Sequence, residues 1–179
     1  ENTNYLKPQI KKKKVIVFIA GGPNKYYNFD DEIIENIFVQ TKKNFINQGY
    51  QLIFIPSMRT PRRIVDKAQD FFDDDQIIIS DIDKKAYLSA LSLADHIIGT
   101  CDSTSMISEA AMTGRPIYVA QMPSIKKNIR FQKFFELFKS LDIIKNLEDK
   151  VEEWSYKKLN ETHRISGYIE KQFKDYDFS

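Results

Sequence analysis

Residues 15–20 read Val-Ile-Val-Phe-Ile-Ala, six apolar side chains without interruption, and similar short runs recur at 52–55, 77–80, 97–100 and 117–120. A strand with one wet face alternates apolar and polar residues, whereas a continuously apolar one is covered on both sides. Stretches of helical period lie between the runs. Ile33, Ile34, Ile37, Phe38, Thr41 and Phe45 recur at helical spacing, with Asp30 and Asp31 as N-cap and first-turn acids and Gly49 closing the segment. Further helices are expected at 61–72, 84–94, 103–113 and 126–141, and a last one at 160–174. The rhythm predicts an α/β domain, a Rossmann-like parallel sheet with helices on both faces. Such sheets gather their ligand loops at the carboxyl ends of the strands, and chemistry is expected there.

Composition narrows the class. With 179 residues there is room for one domain and a modest extension, and a chain of this size buries about 70% of its unfolded surface. Residues 1–14 are expected to form a polar linker or tail, and 15–179 the domain with its C-terminal helices. The lysines at 11–14 suit contact with anionic lipid or phosphate, and equally a solvated approach to the first strand. Cys101 stands alone, so no internal disulfide forms. One thiol and two histidines are too few for a zinc site of Cys and His ligands; no metal is expected, and the setting reads as reducing and cytoplasmic. The 27 basic and 25 acidic residues leave a charge of +2, unlike the strongly basic balance of a dedicated nucleic-acid binder. No apolar run approaches the roughly 20 residues that span a bilayer. Opening on Glu1 without a signal-peptide pattern, the chain is expected to be processed or part of a longer protein.

Three loops carry candidate ligand-binding residues. After the first strand comes Gly21-Gly22-Pro23-Asn24-Lys25. Paired glycines there let backbone N–H groups approach an anion, or simply make a tight turn. No third glycine follows at dinucleotide spacing, and no Tyr-x-x-x-Lys pair of the short-chain dehydrogenase kind occurs. After the second strand, Arg59 precedes Pro61 in the first turn of the next helix; its forked guanidinium suits a diphosphate. After the fourth strand runs Thr100-Cys101-Asp102-Ser103-Thr104-Ser105-Met106-Ile107-Ser108-Glu109. Hydroxyl residues at a helix start leave N–H groups and a positive dipole end facing the crevice. Glu109, one turn further in, can accept two hydrogen bonds from a ribose diol, while Asp102 or Ser103 also fits a plain N-cap.

The remaining candidates have simpler readings. Asp81-Ile82-Asp83 has the form of an Asp-x-Asp metal motif, but acids in that place also cap the next helix. Cys101 lacks a well-placed histidine to activate it. His96 reads as strand core and His163 as helix surface. Phe131, Phe134, Phe135 and Phe138 read as a core-facing stripe.

Gly-Gly-Pro-Asn-Lys-Tyr-Tyr at 21–27, Ser-Met-Arg-Thr-Pro at 57–61 and Asp-Ser-Thr-Ser-Met-Ile-Ser-Glu-Ala at 102–110 together resemble the mitochondrial-fission (elongated mitochondria) protein family. The resemblance covers about 15–170 and includes Trp154-Ser155-Tyr156. More distantly, 81–120 is similar to the donor half of GT-B glycosyltransferases such as the peptidoglycan N-acetylglucosaminyltransferases: Ala-Asp before a strand, a small-residue loop, a helix with Glu, then Gly-x-Pro. That likeness implies that Glu109 holds a ribose, Ser103 and Ser105 a diphosphate, and the backbone at Ile82 a base. The first loop departs from the usual Gly-Gly-Ser-x-Gly form.

The expected function is therefore the donor domain of a GT-B-like glycosyltransferase, binding a nucleoside diphosphate sugar as substrate and needing no cofactor. The ligand set is Gly21, Gly22, Asn24, Lys25, Arg59, Ile82, Ser103, Ser105 and Glu109. No catalytic residue is assigned, because GT-B enzymes close their cleft with an N-terminal acceptor domain that this chain lacks the length to hold; by itself it is expected to be inactive. The alternative, suggested by the family resemblance, is a non-catalytic adaptor recruiting partners at a membrane surface. Either role suits a cytoplasmic protein, peripheral at the inner face of a membrane, that binds no nucleic acid.

Overall fold

The computed structural model describes residues 2–148 and 150–158. Its centre is set by the continuous apolar runs: six of the seven residues of β1 (Lys14–Ala20) are buried, and every residue of β2 (Tyr50–Pro56), β4 (His96–Thr100) and β5 (Ile117–Ala120). A short β3 (Ile77–Ile78) and β6 (Ile144–Asn146) complete a six-stranded sheet. All neighbours pair in parallel, in the order β3-β2-β1-β4-β5-β6. This is the doubly wound Rossmann order, whose direction reverses between β1 and β4.

Five helices make the crossovers: α1 (Asp31–Asn44), α2 (Arg62–Phe71), α3 (Lys84–Leu93), α4 (Thr104–Ala111) and α5 (Ile129–Ser140). Right-handed connections carry α1 and α2 to one face and α3, α4 and α5 to the other. On the first face Phe38 packs against Phe18 and Phe54 of the sheet and against Phe71 and Phe72 at the end of α2. On the second, Phe134 and Phe138 of α5 are buried with ring centres 4.1 Å apart. The α/β class and the first five strands follow the sequence pattern. Asp30 takes the N-cap position without a side-chain cap bond. Strand β6, only three residues long with one residue buried and two half-buried, has no continuous apolar run to announce it. The helix expected at 160–174, with His163, lies outside the described residues.

Residues 3–12, within the stretch expected to be a polar linker or tail, dock on the domain. Leu6 is 1% exposed, and its N–H donates to Ser89 Oγ on α3 at 2.9 Å. The hydroxyls of Ser89 and Ser92 donate to the carbonyl of Thr3. Gln51, buried in β2, accepts from the N–H of Lys11 and donates to the carbonyls of Gln9 and Asp75. On the opposite side of the sheet from the ligand loops, Glu152 to Tyr156 strap the amino ends of the strands. The N–H of Glu152 donates to Tyr118 Oη at 2.8 Å, the Trp154 indole to Asp142 O at 2.7 Å, and Tyr156 Oη to Arg115 O at 2.9 Å. His96, fully buried as expected, sits among Phe45, Tyr50, Tyr118 and Trp154 beneath this strap.

Docking of the N-terminal segment makes a checkable claim. Leu6→Ala removes a fully buried side chain, a change that costs about 2–5 kcal/mol, so the urea midpoint falls; a free linker would leave it unchanged.

Candidate functional site

The reversal between β1 and β4 opens a crevice at the carboxyl end of the sheet, and the loops after β1, β2, β3 and β4 meet there. A cleft of about 460 Å³ occupies it, within the range of small-ligand sites. Ile19, Ile55 and Met106 form its apolar floor. Of the expected ligand residues, Arg59, Ile82, Ser103, Ser105 and Glu109 all line this one cleft; Gly21, Gly22, Asn24 and Lys25 do not.

The β4–α4 segment presents its polar groups as the sequence pattern implies. Ser103 is the N-cap of α4, its Oγ accepting from the N–H of Met106 at 3.4 Å and lying 3.3 Å from Ser105 Oγ. The other N–H groups of a first helical turn lack intrahelical acceptors, which leaves this corner suited to an anion. Glu109 is exposed one turn on, and Tyr87 Oη donates to its Oε2 at 2.8 Å. Burial, then the bond to Glu109, raises the Tyr87 hydroxyl above its ordinary pKa, so it stays a donor. Tyr87 and Lys84, both lining the cleft, escaped the sequence reading because a Tyr and a Lys on a half-exposed helix carry no motif.

The glycine loop is packed against the loops beside it. Gly21 N–H donates to Thr100 Oγ1 at 2.8 Å, and Gly22 N–H to Asp102 Oδ2 at 3.1 Å. Both donors are thus engaged within the chain. A Cβ on Gly21 would lie 2.2 Å from Asp102 Oδ2, and one on Gly22 1.9 Å from the carbonyl oxygen of Arg59; glycine is required by close approach between loops. Asn24 is also structural: its Oδ1 accepts from the N–H groups of Tyr26 and Tyr27, and its Nδ2 donates to Asp102 O. Lys25 is exposed and lies over the Tyr26 ring, 5.1 Å from its centre.

Arg59 is committed too. Its Nη1 donates to Gly22 O and its Nη2 to Asp102 Oδ2, each at 2.7 Å. The Asp102 side chain is fully buried while that of Arg59 is 40% exposed. Asp102 Oδ1 has no hydrogen-bond partner among the described residues, so the guanidinium is the principal compensation for this charge. Arg59 therefore staples three loops at the edge of the cleft, and the cation it brings there is already opposed. The Arg59–Asp102 partnership joins positions 43 apart, and no local pattern could signal it.

The other candidates resolve into structure. Asp83 caps α3, accepting from the N–H groups of Lys85 and Ala86, and Asp81 lies 3.5 Å from Arg62. Cys101 is buried; burial pushes its thiol up to about 12, and its Sγ accepts from the N–H of Met122. Such a thiol is not a nucleophile at neutral pH.

A parallel Rossmann-like domain with one cleft at its topological switch point defines the structural class. The family model described as Mitochondrial fission ELM1 matches residues 2–173, and the chain belongs to that family. It is 29% identical over 169 residues to the uncharacterized protein RP120 of Rickettsia prowazekii (strain Madrid E), covering 90% of this chain and 48% of that one. It is 36% identical over 87 residues to the mitochondrial fission protein ELM1 of Arabidopsis thaliana, covering 48% of this chain and 20% of that protein. The chain thus matches about half the length of the first relative and a fifth of the second. Among solved structures, the UDP-GlcNAc 2-epimerase from Neisseria meningitidis bound to UDP-GlcNAc aligns with a TM-score of 0.46 at 15% identity, over 78% of this chain and 38% of that one.

The staple predicts its own deletion. Arg59→Ala leaves the buried Asp102 carboxyl without its cation. Removing one partner of a buried pair costs about 3–5 kcal/mol; with one partner 40% exposed, equilibrium unfolding should show a loss toward the lower end.

Proposed function

We propose that the cleft binds a nucleoside diphosphate sugar and that the chain is the donor-binding part of a GT-B-like glycosyltransferase. The carrying observation is that Ser103, Ser105, Glu109 and Ile82, which come from two separate loops and a helix, line one cleft at the switch point of the sheet. In this reading the α4 start and Lys84 face the diphosphate, Glu109 accepts from the ribose hydroxyls through the oxygen that Tyr87 leaves open, and the apolar floor lies under the base. Arg59 acts by holding the loops in place, with its charge balanced by Asp102, rather than by carrying the leaving group alone. Gly21, Gly22 and Asn24 shape the rim.

Glu109→Ala tests the ribose contact. Losing a charged hydrogen-bond acceptor should weaken uridine diphosphate or a similar nucleotide by about 1.5–3 kcal/mol in calorimetry, and unchanged affinity removes Glu109 from the site. Chelator should leave binding intact, since the diphosphate is met by N–H groups and a lysine; restoration by manganese would revive the Asp81/Asp83 reading. If no nucleotide or nucleotide sugar binds, the adaptor reading takes its place.

Transfer needs a second wall. Orientation of donor and acceptor supplies about 7–11 kcal/mol of such a barrier, and this domain offers one side of a cleft. The 179-residue chain should therefore bind donor without transferring sugar, in an assay run beside a longer chain; equal rates would refute the half-site reading.

A further inference from the structure

Between Met122 and Phe135 the chain carries Lys126, Lys127, Arg130 and Lys133 and no acid, twice the net charge of the whole protein in fourteen residues. Set among these cations are two isoleucines that the fold leaves outside, Ile125 at 56% and Ile129 at 59% exposure. Lys126, Lys127, Arg130 and Lys133 are themselves exposed; Arg130 and Lys133 also interact within the chain. Core packing does not explain the isoleucines, because the core side of this segment is filled by Met122, Phe134 and Phe135.

The patch is presented from a fixed platform. Ile125 N–H donates to Tyr26 O at 2.7 Å, and Tyr27 and Ser124 form an antiparallel bridge. Tyr26 and Tyr27 both pack on the Phe131 ring, at 5.6 and 5.7 Å between centres. Asn128 caps α5 by accepting from the N–H of Arg130, which turns the chain between the two isoleucines. Lys25, exposed on the adjoining loop, adds a further cation.

We propose that this β5–α5 corner is a docking surface for an anionic lipid bilayer, with Ile125 and Ile129 entering the headgroup region and the lysines held at its charged plane. Cations alone fit any polyanion. Exposed aliphatic side chains between them fit a surface that is anionic outside and apolar just beneath, which is the recognition pattern of interfacial binding. No described helix is long and apolar enough to cross a membrane.

The test is vesicle co-sedimentation of the full chain. Vesicles of phosphatidylcholine alone are compared with vesicles containing phosphatidylglycerol, at low and high salt, using the parent, Lys126→Gln/Lys127→Gln and Ile125→Ser/Ile129→Ser. Thermal unfolding of each variant is followed in parallel, and all four side chains are exposed, so folding should match the parent. Binding should require phosphatidylglycerol and weaken with salt. Each basic residue near such a surface is worth roughly fivefold in affinity, so the glutamine pair should lose about 25-fold and the serine pair at least roughly tenfold. Absence of binding to phosphatidylglycerol vesicles overturns the proposal. So does a loss in the glutamine pair with none in the serine pair, which would mark the corner as a site for a soluble polyanion.

Discussion

A carboxylate sealed from water at the switch point of a parallel sheet must find compensation within the chain, and the carboxyl end of this domain is organised around that requirement. Asp102 receives Arg59 from one loop and the Gly22 N–H from another. Because the glycine backbone must come close enough to do this, a Cβ at 21 or 22 has no room. The same guanidinium bonds back to Gly22 O. Three loops that could each wander at the end of a strand are therefore tied to one buried charge, and the cleft beside them has defined walls before any ligand arrives.

The division between what was legible in sequence and what was not follows the range of the interactions. Strands covered on both faces announce themselves as uninterrupted apolar runs, and helices by their period, so the class of the domain and the cleft-lining role of the segment around Ser103 to Glu109 could be read locally. Leu6 could not: a single leucine in a polar stretch looks the same whether it docks or drifts, and only the pocket beside Ser89 decides. Nor could β6, whose three residues hold their place through the neighbouring β5. A glycine pair after a strand suits an anion cradle or a tight turn, because glycine permits close approach. The structure shows that what approaches is the chain itself.

Burial also sorts the reactive groups. Cys101 lies just before the start of α4, a setting that in an exposed site would favour a thiolate, although the adjacent Asp102 carboxylate works against it. Here desolvation outweighs it and the thiol is held neutral. Tyr87 is kept protonated by the same effect, reinforced by Glu109, and becomes a fixed donor that orients the carboxylate while occupying one of its oxygens. The cleft thus offers carboxylate and hydroxyl acceptors together with hydroxyl, ammonium and N–H donors for binding.

The loop from Gly21 to Tyr27 belongs to both regions at the carboxyl end of the sheet. Its first residues are locked to Asp102 and Arg59 beside the cleft; Asn24 holds the carbonyl of Asp102 with its amide and the turn of Tyr26 and Tyr27 with its oxygen. Its last residues are bridged to Ser124 and Ile125 in the basic, isoleucine-bearing corner. A segment held at both ends by hydrogen bonds and packed aromatic rings is a poor hinge, since moving it breaks several buried and half-buried polar contacts together. The cleft and the β5–α5 corner therefore sit on one rim with a fixed relative orientation, and whatever surface meets the corner also sets the direction in which the cleft faces.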